Sequence, residues 1–232
     1  MESVENRELR IENRQIKERP ILFSGEMVRA ILEGRKTMTR RIVKNLVNTV
    51  VGTEYCFHET KDGMWEVGFD YGNGMGDFLR YVNCHYGKPG DRLWVRETWG
   101  YFGGDEYLYQ ENKGSVGYRA DFSPLEPIPG GKWKPSIFMP HWASRILLEI
   151  TSIRVERLQD ITREDAITEG IRVLPLQDPN DPSAWWESAP GVNQSRTPVV
   201  AFRKLWDSIN GKKHPWESNP WVWVVEFRRI DQ

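Results

Sequence analysis

Hydrophobic and polar positions along the chain change period several times, and each change marks an element. Pro20-Ile21-Leu22-Phe23 is a short apolar run suited to a strand. Ser24 then offers a hydroxyl cap for a helix, with Val28, Ile31 and Leu32 at i, i+3, i+4 and Gly34 as its stop. Lys88-Pro89-Gly90-Asp91 is a turn signal, and Arg92 to Trp99 after it has the content of a strand. From Ile146 to Val155 the pattern predicts one long strand in two phases. Ile146, Leu148 and Ile150 share one parity, Ile153 and Val155 the other, so a β-bulge near Thr151-Ser152 would return both sets to one face.

Thr162 and Asp165 have capping-box spacing, and Gly170 supplies a stop, which predicts a short helix from Arg163 to about Glu169. Thr197-Pro198 opens another, whose Phe202, Leu205, Trp206 and Ile209 form a stripe expected in the core. Trp221 to Phe227 is apolar on nearly both parities, as a central strand requires. Between these elements lie three stretches rich in Gly or Pro, about 45–85, 100–135 and 172–196, which read as loop-rich insertions. The first holds a possible hairpin around Lys61-Asp62-Gly63, the second possible strands at Tyr107-Leu108-Tyr109 and Val116–Ala120, and the third a possible lid at Trp185-Trp186. Residues 1–19 are charged and poor in large apolar side chains, and read as a flexible arm.

At 232 residues the chain suits one elaborated domain, residues 20–232. Two cysteines and the lack of a signal-like apolar segment point to the cytoplasm, and no apolar run approaches the roughly 20 residues needed to cross a bilayer. A net charge of -1 argues against a protein that coats nucleic acid generically, so any such contact is local.

One stretch concentrates charge. Arg35, Lys36, Arg40, Arg41 and Lys44 carry no acidic residue among them, and Thr37 and Thr39 add hydroxyls. The run leaves a helix C-terminus, which attracts cations, so it reads either as a well-capped helix end or as a pocket for an anion, phosphate or nucleobase. With 11 Trp, some rings should line a surface, and Trp94 is a candidate for stacking on a base near the run. The pairs Cys56/His58 and Cys84/His85 match no common zinc spacing, and no motif for a cofactor is present.

The order of these elements, with Gly34, Lys36, Thr39 and Arg41 as a Gly-x-Lys-x-x-Thr-x-Arg pattern, resembles the ASCH domain of the PUA-like superfamily. The likeness covers Pro20 to Lys44, Tyr86 to Trp99, Ile146 to Ile171 and Trp221 to Arg228, and is greatest to the longer ASCH-like proteins of bacteriophages and prophages. It implies an α+β fold: a small, mostly antiparallel β-barrel flanked by short helices, with a cleft for RNA or a modified nucleoside. A smaller bacterial relative is an amidohydrolase that removes an acyl group from acetylated cytidine with a lysine, a threonine and a glutamate. By that likeness the trio falls on Lys36, Thr39 and, through the helix marked by Leu158 and Thr162, Glu169.

Three functions follow as expectations. The first is a module that binds RNA or a nucleoside through Arg35, Lys36, Thr37, Thr39, Arg40, Arg41 and Trp94. The second is an amidohydrolase in which Thr39 supplies the nucleophile, and Lys36, its pKa lowered by burial and by neighbouring arginines, accepts a proton. The third is a phage protein-interaction factor without catalysis.

Overall fold

The computed structural model describes residues 15–44, 46, 54–60, 64–70, 78–101, 116–122 and 132–230. The fold is mixed α+β, mostly strands with few helices. Its centre is a five-stranded sheet of β1 (Glu18–Leu22), β6 (Arg92–Arg96), β9 (Leu147–Arg157), β12 (Trp221–Ile230) and β2 (Met38–Ile42), in that spatial order. β1 runs parallel to β6 and the other pairs are antiparallel. β1 and β2 form the edges, and no ladder among the described residues joins them into a closed barrel.

The apolar run of β12 accounts for the layering. Strand side chains alternate between faces, so Trp223, Val225 and Phe227 enter one buried cluster and Val222 and Val224 another. The first cluster is completed by Ile21, Leu93, Leu148 and Ile150 and covered by Val28 and Ile31 of α1 (Gly25–Leu32). The second takes Ala166 of α2 (Arg163–Thr168) and Phe202 and Trp206 of α3 (Pro198–Asn210). Helices thus pack on both faces of one sheet.

The phase change in β9 is a bulge at the expected place. Glu226 pairs with Ser152 but Phe227 with Ile150, leaving Thr151 as the extra residue. Ile150 and Ile153, of opposite parity, therefore lie in the same cluster, while Thr151 is exposed. The caps also sit where the sequence placed them: Ser24 accepts from the Met27 amide, Thr162 from Asp165 and Thr197 from Val200.

Several expectations need correction. The arm is shorter than 1–19, because Glu18 and Arg19 already pair with Arg92 and Leu93, and Arg19 meets Asp91 at 2.9 Å. Arg92–Trp99 is not one strand: at Glu97 and Thr98 the chain leaves the sheet, with the Glu97 carboxylate buried against Arg145 at 2.9 Å, and Trp99–Tyr101 forms β7 with β8 (Val116–Tyr118). Arg119 and Ala120 are not strand, since they turn in a short 3-10 segment, and Tyr107-Leu108-Tyr109 lies outside the described residues.

The first insertion is less loop-like than expected. β3 (Glu54–Glu59), β4 (Trp65–Asp70) and β5 (Phe78–Val82) form an antiparallel sheet, the tip of the expected hairpin at 61–63 lying outside the described residues. The third is ordered by short pairs, β10 (Arg172–Val173) with β11 (Trp186–Glu187) and Trp186 with Ser195. The α3 stripe is core only in part, for Ile209 is 55% exposed.

Candidate functional site

The helix C-terminus at Gly34 delivers the basic run directly into the fold. Gly34 adopts φ +74°, the Lys36 amide returns to the Ala30 carbonyl, and Lys36 makes a single bridge to Glu169 before β2 begins. Glu169 follows α2, whose stop at Gly170 has φ +101°. A Cβ on Gly170 would lie 3.2 Å from Cβ of Ala30 and 3.4 Å from Cβ of Lys36, so glycine there lets the ends of α1 and α2 close over the lysine.

Lys36 is buried with all three ammonium protons placed. Its Nζ donates to the Met38 carbonyl at 2.7 Å, the Glu169 carbonyl at 2.8 Å and Glu169 Oε2 at 2.6 Å. Burial lowers its pKa, the Glu169 carboxylate opposes that, and Arg41 and Arg40 add smaller lowering contributions. The three acceptors match in number the three protons of an ammonium.

Arg40 extends the network on the α2 and α3 face. Its side chain is wholly buried and reaches Glu156 at 3.0 Å, Asp165 at 2.6 Å and Glu169 at 3.4 Å. Arg154 bonds the same Glu156 and Asp165, at 3.0 and 3.1 Å, and also Glu226. Asp165 therefore serves as an ion partner, and its backbone amide, not its carboxylate, completes the cap with Thr162.

The remaining predicted site residues disperse. Thr39 pairs with Val225 and Arg40 with Val224. Paired residues share a face and neighbours alternate, so Thr39 lies on the α1 face and Arg40 on the other. Thr39 is 3% exposed. Arg35 meets Glu33 at 2.6 Å and the Gly170 carbonyl at 2.8 Å. Arg41 donates to the Leu22 carbonyl and stacks on Phe23 and Tyr86. Thr37 is exposed, with its backbone tied to Thr168 and Phe227. Trp94 is buried on β6, three strands away from β2, against His141 and Arg96. The run that reads as a concentrated charge is thus largely neutralised from within.

Glu169 and Arg35 border a cleft of about 710 Å³. α1 contributes Met27 and Ala30, the chain near Ala120 contributes Phe122, the loop after β11 contributes Val192 and Asn193, and α3 contributes Leu205 and Ile209. The carboxylates Glu26, Glu33, Asp121 and Glu169 share its lining with the guanidinium groups of Arg29, Arg35 and Arg172. Its volume is that of a small-molecule site, and its apolar walls are interrupted by these seven charged side chains.

Sequence reading missed most of this cleft. Leu205 and Ile209 carry a core-like period, and Arg29 looks like a surface residue until it is seen bonding the Ala120 and Phe122 carbonyls at 2.7 and 3.0 Å. The one signal in the sequence was the proline-rich stretch before α3, which supplies the wall at 188–193. Among the described residues no group of three or more His, Cys, Asp or Glu side chains is placed to hold a metal ion. No helix among them is long and apolar enough to cross a membrane. No family model, curated protein or solved structure matches the chain.

Proposed function

We propose that the chain is an ASCH-like module of the PUA-like type and that it binds a nucleoside in the cleft between α1 and α3. The observation that carries this reading is the lining. Apolar walls from Met27, Phe122, Leu205 and Ile209 suit the faces of a base, while Asn193, Arg35 and Glu169 offer donors and acceptors for its edge. The opposite charges in the lining nearly balance, which favours an uncharged polar ligand over a phosphate chain. A nucleoside therefore fits better than an extended RNA strand.

Calorimetric titration with cytidine and N4-acetylcytidine tests it. Saturable binding that weakens about tenfold in Arg35→Ala is expected, the order contributed by one charge-assisted hydrogen bond. An absence of heat with either nucleoside would reject the reading.

A second reading, amide hydrolysis of an N4-acylated cytidine in the same cleft, is favoured by the 2.6 Å contact between buried Lys36 and Glu169, of which Glu169 lines the cleft. Lys36 would first pass one proton to Glu169 Oε2 and then accept the proton of the Thr39 hydroxyl; the acyl group would move to Thr39, cytidine would leave with that proton, and water would release the acid from Thr39. Release of cytidine from N4-acetylcytidine, lost in Thr39→Ala, is the expected result. Turnover unchanged in Thr39→Ala removes that residue from the mechanism.

A further inference from the structure

A second cleft, of about 350 Å³, opens beside the end of β2 and shares no lining residue with the first. Lys44, Arg80 and His85 line it over a floor that includes Val43 and Trp223. They come from three separate segments: the turn after β2, strand β5, and the loop that leads to β6. Val43 is 6% exposed and Trp223 2%. Among the described residues no carboxylate lines this cleft, in contrast to the balanced lining of the nucleoside cleft.

The positive field extends past the lining. Arg41, on β2 just before Lys44, has its Nε buried without a hydrogen-bond partner, while its Nη2 donates to the Leu22 carbonyl. His85 reports the same field. Its ring packs on Tyr86 with centroids 3.8 Å apart, and partial desolvation, with the charges of Lys44, Arg41 and Arg19, holds its pKa below the ordinary histidine range. Cations gathered from separate segments over an apolar floor focus their field and favour an anion of high charge with several acceptor oxygens. Next to the cleft, Phe78 and Tyr81 form an exposed aromatic pair with centroids 4.9 Å apart. The β4–β5 register shift, which passes over Leu79, is what brings these two rings to one side. Tyr81 itself lines the cleft, and its hydroxyl is bonded to Glu66.

We infer that this cleft binds the phosphate of a phosphorylated ligand, with Lys44 and Arg80 as its cationic donors, His85 as a third donor, and the Phe78–Tyr81 pair as a platform for an attached base. Phosphate is the anion that fits, because its tetrahedral oxygens accept from donors arriving along different directions, whereas a planar carboxylate is met by a single fork. The site is independent of the nucleoside reading and stands if that reading fails.

Isothermal titration in a chloride buffer, with inorganic pyrophosphate, a tetrauridylate and its 5′-phosphorylated form, tests the inference. Wild-type protein is expected to bind pyrophosphate saturably, and Lys44→Ala and His85→Ala each to weaken it by about tenfold. Both residues are exposed, so the variants should keep the wild-type circular dichroism and melting temperature. Arg35→Ala, in the other cleft, should leave pyrophosphate binding unchanged. Tighter binding of the 5′-phosphorylated tetramer assigns the site to a terminal phosphate, and equal binding of the two tetramers assigns it to the diester backbone. No saturable binding by wild-type protein, or affinity unchanged in both variants, overturns the inference.

Discussion

Lys36 is held in a shell of three acceptors with no exposed side-chain surface, and Glu169, one of its partners, is also within 3.4 Å of Arg40. Taking one member away strands a buried charge, which costs about 3–5 kcal/mol. Lys36→Met and Glu169→Gln should each fall in that range by urea unfolding. The double variant should lose less than the sum, because each single loss already removes the shared contact. Additive losses would mean that the two groups do not act on each other. His85 supplies a pH test. Its folded pKa lies below the unfolded value, so the unfolded chain binds more protons, and stability falls as pH drops through the region of 6.5. His85→Gln should therefore lose less stability than wild type between neutral and mildly acidic pH, measured by melting temperature.

At the scale of elements, two glycines with the same backbone sign make a graded prediction. A Cβ added at Gly34 would meet open space, whereas one on Gly170 would meet Ala30 and Lys36. Gly34→Ala should cost about 1–2 kcal/mol, the left-handed strain alone, and Gly170→Ala distinctly more; equal losses in urea unfolding would show that the α1–α2 junction is loose. Caps, the β9 bulge and the central β12 were legible in the sequence because each depends on local chemistry or on parity. The α3 stripe was legible only to Trp206: period identifies the apolar face, but not where its covering layer ends, and at Ile209 that layer gives way to the cleft. The break at Glu97 was hidden for another reason, since its partner Arg145 is 48 residues away.

Across the whole molecule, the basic run illustrates how composition misleads when partners are remote. Read along the chain, Arg35 to Lys44 has no acid among its cations; in space, Glu33, Glu156, Asp165 and Glu169 meet Arg35, Arg40 and Lys36. Nothing in their spacing announces that meeting, because sheet pairing and the α2 turn create it. Only Arg41 and Lys44, at the far end of the run, keep the positive character that the sequence displayed. The molecule thus separates a cleft of nearly balanced charge from a positive one.

Nucleoside binding is proposed for the cleft between α1 and α3, and Ile209 gives direct access to it, being exposed on α3 and part of the lining. The measurement is a 15N-resolved NMR titration of wild-type protein and Ile209→Trp with cytidine. Wild type should show saturating shifts of the amides of Arg35, Gly170 and Ile209, and Ile209→Trp, with its fold and melting temperature retained, should lose them because the larger ring fills the cleft. Absence of saturating shifts in wild type, or shifts unaffected by Ile209→Trp, would contradict nucleoside binding in this cleft.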